Sequence, residues 1–258
     1  MRMPTKIGSL ETLRSHGLNP STIFDVGAGR TGTLALFRNF ADKKNVMIEP
    51  ITEYESTIKK AAKKHGANNY ELIAKKAYSS VAASDYTTLD EIADNGKYEP
   101  SYLIKIDVDG EDLEVAKGAT TLFPQTDCII VESIPPWKLW FYKDHDKITE
   151  TITPVEQDRD AFSFMHFFNK HDFILYDIVD MLYDENSLTG VDLVFISKRF
   201  LSSATLLRHD PAKRCFTRLI NENGVVTKEF HDYLQDKKPS STTTQETFLN
   251  SQKKKEVK

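Results

Sequence analysis

The chain has 258 residues, 40% of them hydrophobic and 28% charged, with a formal net charge of −4 and an isoelectric point near 6.0. That length buries a sizeable core as one large or two small domains, and the composition fits a soluble globular protein and excludes a disordered or fibrous one. The acidic balance argues against nucleic acid as the main partner, and no apolar run reaches the roughly 20 residues of a membrane span. The start, MRMPTKIGSLETLRSHG, lacks the apolar core of a signal peptide, so a cytoplasmic location is expected. Cys128 and Cys215 are far apart in the chain and make neither a disulfide framework nor a zinc site.

Residues 1–20 read as a helical leader. From there to about residue 135, apolar runs alternate with helical patterns. Strands are expected at Thr22–Val26, Asn45–Ile48, Tyr70–Lys75, Tyr102–Ile106 and Cys128–Val131, and helices at Thr33–Ala41, Glu53–Lys64, Leu89–Asp94 and Glu111–Phe123. Continuous apolar runs such as YLIKI and CIIV suit strands covered on both faces, and strand-then-helix repeated in this way is the sequence form of a doubly wound parallel sheet. The rhythm then changes. Phe162–Lys170 reads as a helix, and Phe173–Leu182 and Val191–Lys198, separated by DENSLTG, read as an antiparallel hairpin added to the sheet. The expected organisation is an α/β domain over 21–199 with an irregular loop at 134–160, an extension over 200–236, and a solvated tail over 237–258 carrying six Lys against two Glu. There is no internal repeat.

Phe24-Asp25-Val26-Gly27-Ala28-Gly29-Arg30-Thr31-Gly32 follows the first strand and opens a helix. Glycines there allow a sharp turn and close approach to a ligand. Gly27, Gly29 and Gly32 also satisfy G-x-G-x-x-G, so a nicotinamide dinucleotide competes with any other nucleoside ligand. Asp25 places a carboxylate at the mouth of the expected site, which repels a pyrophosphate and suits a cationic ligand such as S-adenosylmethionine. Glu49, at the end of the second strand, suits the two hydroxyls of a ribose and fits either ligand. The bland reading of the loop is a glycine turn with a helix-capping aspartate.

The run Leu103-Ile104-Lys105-Ile106-Asp107-Val108-Asp109-Gly110-Glu111-Asp112 passes from an apolar strand into carboxylates at its carboxyl end, where open α/β sheets bind ligands. Asp107 and Asp109 are candidates for a general base or for ligands of Mg²⁺ or another divalent cation, and Glu132 is a third candidate acid or base. Glu111 and Asp112 also suit the start of the next helix. In the 134–160 loop, Trp137, Trp140, Phe141 and Tyr142 are candidates for stacking on a substrate ring, or for burial against the last helix or a second copy in a homodimer. His145 is a weaker candidate for acid–base work.

Taken together, these residues resemble the FkbM family of S-adenosylmethionine-dependent methyltransferases, from about Leu10 to Arg199. The pieces come in the family's order: HGLNPSTIFDVGAG, IEP at Ile48–Pro50, the element Thr88–Ile92, LIKIDVDGEDLEVAKGA at Leu103–Ala119, VESIPP, and VDLVFISKR. The resemblance implies a class I methyltransferase (Rossmann-like) fold, a doubly wound seven-stranded sheet with an antiparallel last strand. It also implies methyl transfer to an oxygen of a sugar, glycan or secondary metabolite. By position, it places Asp25, Gly27, Ala28 and Gly29 at the methionine end of S-adenosyl-L-methionine and Glu49 at the ribose, with Thr31 and Pro50 among the other cofactor-binding positions. Ala77 and Tyr78 fall near the adenine, and Asp107 faces the sulfonium and the acceptor. Departures are Thr31 where the family usually has glycine, with Gly32 one residue later, and Asp109 and Asp112 in place of glutamates. A nicotinamide-dependent Rossmann oxidoreductase and a non-catalytic cofactor-binding scaffold are the competing readings.

Overall fold

The computed structural model describes residues 5–81, 83–94, 97–108, 110–133, 161–184 and 187–203. The 134–160 loop with Trp137, Trp140, Tyr142 and His145, the Asp109 position, and the chain beyond 203 with its extension and basic tail lie outside them.

In chain order the elements are α1 (Lys6–Ser15), β1 (Thr22–Val26), α2 (Leu34–Phe40), β2 (Lys44–Ile48), α3 (Glu55–Lys64), β3 (Tyr70–Ile73), β4 (Lys76–Ala77), β5 (Tyr86–Thr87) and α4 (Leu89–Asp94). They continue as β6 (Tyr102–Ile106), α5 (Asp112–Lys117), β7 (Thr126–Ser133), α6 (Ala161–Lys170), β8 (Phe173–Asp184), β9 (Ser187–Ser197) and α7 (Lys198–Ser203). A seven-stranded sheet runs β3-β2-β1-β6-β7-β9-β8, and β4 and β5 form a separate small ladder. Every pairing from β3 to β7 is parallel, while β9 lies antiparallel between β7 and β8. This is the class I methyltransferase fold, with an antiparallel last strand inserted before the edge.

Strand periodicity divides the core. Phe24, Val26, Ile104, Ile106, Ile129 and Val131 face one layer, closed by Val115, Phe164 and Phe168 of the helices. Ile23, Leu103, Cys128, Ile130 and Val194 face the other, closed by Leu10 and Leu13 of α1, Leu36 and Phe40 of α2, and Phe200 of α7. Phe168 is fully buried and meets Phe164, Phe167, Phe173, Phe195 and Phe123 in ring contacts, which fixes α6 against the hairpin.

Element boundaries shift in places for identifiable reasons. The helix expected over Glu111–Phe123 stops at Lys117, because Gly118 packs against the chain after β4: a Cβ on Gly118 would lie 2.1 Å from the Tyr78 carbonyl oxygen. The hairpin strands are longer than expected, with register shifts at Leu175/Asp177 and Val179/Leu182 that alternation alone does not reveal.

Candidate active site

A cleft of about 550 Å³ opens at the carboxyl ends of β1, β2 and β6. Gly27, Ala28, Gly29, Arg30, Thr31, Glu49, Pro50, Tyr54, Ala77, Lys105 and Asp107 are among its lining residues. Of the residues singled out for the cofactor, all but Asp25 and Tyr78 line it.

The glycine turn is required by the space around it. Gly27 has φ +71°, and a Cβ there would lie 1.8 Å from the Asp107 carbonyl oxygen. Gly29, at φ +59°, has nothing within 4 Å of its would-be Cβ, so its outer face is open to the cleft. Gly32 has φ +66°, and its would-be Cβ meets the Phe37 ring at 2.6 Å. Gly32 is therefore needed where it stands, and exposed Thr31 tolerates a side chain.

Glu49 is 6% exposed and braces this turn. The Gly29 N–H donates to Glu49 Oε2 at 2.7 Å, and the Ile51 N–H donates to Oε1 at 3.0 Å. Each oxygen keeps a further lone pair, so the carboxylate retains acceptor capacity toward the cleft.

Asp25 corrects the sequence reading. Its carboxylate is not at the mouth of the site: it is 1% exposed and accepts from the Thr33 N–H and the Thr33 Oγ1–H, both at 2.8 Å. The physical reason is strand parity, since odd positions of β1 point to the face covered by α2, whose first turn needs an acceptor. The helix-capping alternative describes its geometry.

Register places Asp25 beside Lys105 on the neighbouring strand. Lys105 is 2% exposed. Its Nζ donates to the Gly27 carbonyl oxygen at 3.1 Å, and lies 3.1 Å from Asp107 Oδ2 and 3.6 Å from Asp25 Oδ1. Burial by itself lowers the Lys105 pKa; Asp25 and Asp107, with a smaller contribution from Asp192, outweigh it, and the net direction is upward. Sequence reading passed over this lysine as one letter of an apolar strand. The signal was a cation in the middle of YLIKI, a run that reads as covered on both faces.

Asp107 is half-buried and opens into the cleft. The turn after it is fixed by Asp112, fully buried, which accepts from the Val108 and Gly110 N–H groups at 3.0 and 3.1 Å. Glu111, for which the start of the next helix was one of two open readings, lines the cleft and pairs with Lys76 at 2.6 Å. Glu132 sits on β7 in register with Asp192 of β9 and is not among the lining residues of this cleft. Asp192 is buried, which raises its pKa against the opposing pull of Lys6, whose Nζ lies 2.8 Å away. Among the described residues, no group of three or more His, Cys, Asp or Glu is placed to hold a metal ion, and no helix is long and apolar enough to cross a membrane.

No protein-family model matches the chain, and no curated protein does. Similar solved structures include an O-methyltransferase from Streptomyces achromogenes involved in tomaymycin synthesis, at 12% identity over 74% of this chain and 78% of that one, TM-score 0.46. Magnesium protoporphyrin IX methyltransferase from Synechocystis PCC 6803 has 10% identity over 74% and 77%, TM-score 0.44. The methyltransferase domain of a bacterial Hen1 has 12% identity over 74% and 97%, TM-score 0.43. Strand order and register carry the fold assignment on their own.

Proposed function

We propose that the chain is an S-adenosylmethionine-dependent O-methyltransferase of the FkbM type, with its methyltransferase domain over 21–199, acting on a hydroxyl of a sugar, glycan or secondary metabolite. The observation that carries the reading is the cleft formed by Gly27–Thr31, Glu49, Ala77 and Asp107 on a sheet whose antiparallel strand β9 lies inside the edge strand. A dinucleotide-binding doubly wound sheet runs in the order 3-2-1-4-5-6, without that insertion. With Asp25 capped and buried, this topology replaces it as the feature that disfavours the nicotinamide oxidoreductase. The ordered run of FkbM-like segments supports the finer assignment.

The donor set fits the cofactor. Gly29 leaves open space where a ligand backbone can approach, and Glu49 offers carboxylate oxygens to a ribose, with Pro50 and Ala77 beside it. Asp107 is the negative group toward a cationic sulfur. When bound, S-adenosylmethionine supplies a methyl group activated by the positive charge on its sulfur. The chain's own work is to hold an acceptor oxygen about 3 Å from that carbon and to take up the proton the hydroxyl releases. Of the two candidate bases among the described residues, Asp107 lines the cleft and Glu132 does not. A divalent cation such as Mg²⁺ held by Asp107 and Asp109 would instead lower the hydroxyl's pKa. Acceptor contacts are assigned to Trp137, Trp140, Tyr142 and His145 of the 134–160 loop.

Incubation with methyl-labelled S-adenosylmethionine and a panel of methyl glycosides and phenolic alcohols, read by mass spectrometry, tests the reading. A gain of one methylene mass on oxygen is expected. Label appearing only on carbon contradicts O-transfer, and bound cofactor with no transfer to any acceptor favours the scaffold.

A further inference from the structure

We propose that Lys105 is a positioning residue that sets the charge a cationic methyl donor meets in the cleft: it cancels the buried carboxylate of Asp25 and holds the Asp107 carboxylate in place. This rests on the methyl-transfer reading above.

The geometry gives Lys105 three simultaneous partners on three parts of the site. Its Nζ reaches the Gly27 carbonyl in the glycine turn, the Asp107 carboxylate at the end of β6, and the Asp25 carboxylate under the start of α2. These parts are also in direct contact. The Gly27 Cα approaches the Asp107 peptide too closely for any side chain, so a shift of either moves the other. One cation between two carboxylates leaves a single net negative charge in the cluster. The other carboxylates lining the cleft have partners of their own: Glu49 accepts from two backbone N–H groups, and Glu111 pairs with Lys76.

A lysine that only stabilised the fold would balance Asp25 alone. Here it also lines the cleft and reaches the half-exposed Asp107, so its charge is felt by whatever occupies the space. The local balance then favours a sulfonium over the neutral thioether left after transfer, by an amount set chiefly by one lysine and two aspartates, since Asp192, which also acts on Lys105, is paired with Lys6. Removing the cation makes the cluster more negative, and removing Asp107 makes it neutral.

The test compares binding of S-adenosylmethionine, which is cationic at sulfur, with S-adenosylhomocysteine, which is not, at one pH and low ionic strength. The readout is the ratio of the two affinities, which a loss of folding or packing alone leaves unmoved. Lys105→Met is expected to raise the preference for the sulfonium by roughly tenfold, and Asp107→Asn to lower it by a similar factor. Lys105→Arg, which keeps the cation, is expected to stay near the wild-type ratio. A ratio that is equal in wild type, Lys105→Met and Asp107→Asn overturns the inference even if both affinities fall. If Lys105→Met does not fold, an unchanged ratio in Asp107→Asn overturns it alone. Wild-type protein that binds neither compound contradicts the methyl-transfer reading itself.

Discussion

Gly27 and Asp107 touch through their backbones: a Cβ on Gly27 would lie 1.8 Å from the Asp107 carbonyl oxygen, at a φ of +71°. Because β1 and β6 pair in parallel register with Val26 beside Ile106, both chains leave the sheet at the same level and must pass each other at once. The cleft floor is thus a contact between two strand ends, and its shape depends on the absence of one methyl group.

Gly27→Ala is therefore expected to push the turn off the end of β6. Overpacking of this kind costs about 1–3 kcal/mol and more where backbone must move. The variant should lose S-adenosylhomocysteine binding and melt at lower temperature, as calorimetry and thermal denaturation will report. Gly29→Ala meets no neighbour but carries a φ of +59°, so it should fold with a smaller loss and still weaken binding.

Glu49→Ala removes the acceptor for the Gly29 and Ile51 N–H groups. Both donors are only part-buried and Ile51 is an exposed residue, so the loss stays below the about 1–3 kcal/mol of a fully buried unpaired donor. The expected outcome is a lower urea midpoint together with at least a tenfold loss of S-adenosylhomocysteine affinity. Glu49→Gln keeps one acceptor oxygen and should recover part of the stability but less of the binding.

Much of this was legible in the sequence because the physics is local. The glycine turn, the carboxylate at the end of β2 and the acidic end of β6 follow from residue type and strand period. The capping role of Asp25 was legible only as an alternative: the expected helix already began at Thr33, but which layer the Asp25 side chain enters depends on strand parity against the packed α2. Lys105 was missed because its three partners come from β1, the turn and β6, a conjunction that exists only once the register is known. The ends of α5 and of the hairpin strands likewise depend on Gly118 against Tyr78 and on register shifts in β8, neither of which carries a periodic signal.

Phe168→Ala tests the packing that fixes α6 on the hairpin. The ring is fully buried among Phe123, Phe164, Phe173 and Phe195, and its removal leaves a cavity worth about 3–5 kcal/mol. The variant should show a clearly lower denaturation midpoint.

Tyr98 gives the stability an alkaline limit. Burial, with help from Glu71, pushes its phenol up to about 12 from an ordinary 10.0. Folded and unfolded chains both keep this proton below pH 10; above it the unfolded chain releases its proton first, so stability falls as pH rises from 10 toward 12. Tyr98→Phe preserves the ring contact with Phe24 and should flatten this fall, seen as a smaller drop in melting temperature between pH 9 and roughly pH 11 than in wild type.

The most direct test of the central claim is a calorimetric titration of the protein with S-adenosylhomocysteine and, separately, with NADH. Binding of S-adenosylhomocysteine in the micromolar range, lost in Glu49→Ala and absent for NADH, is the result predicted. Binding of NADH alone would contradict the assignment of the cleft to a methyl donor.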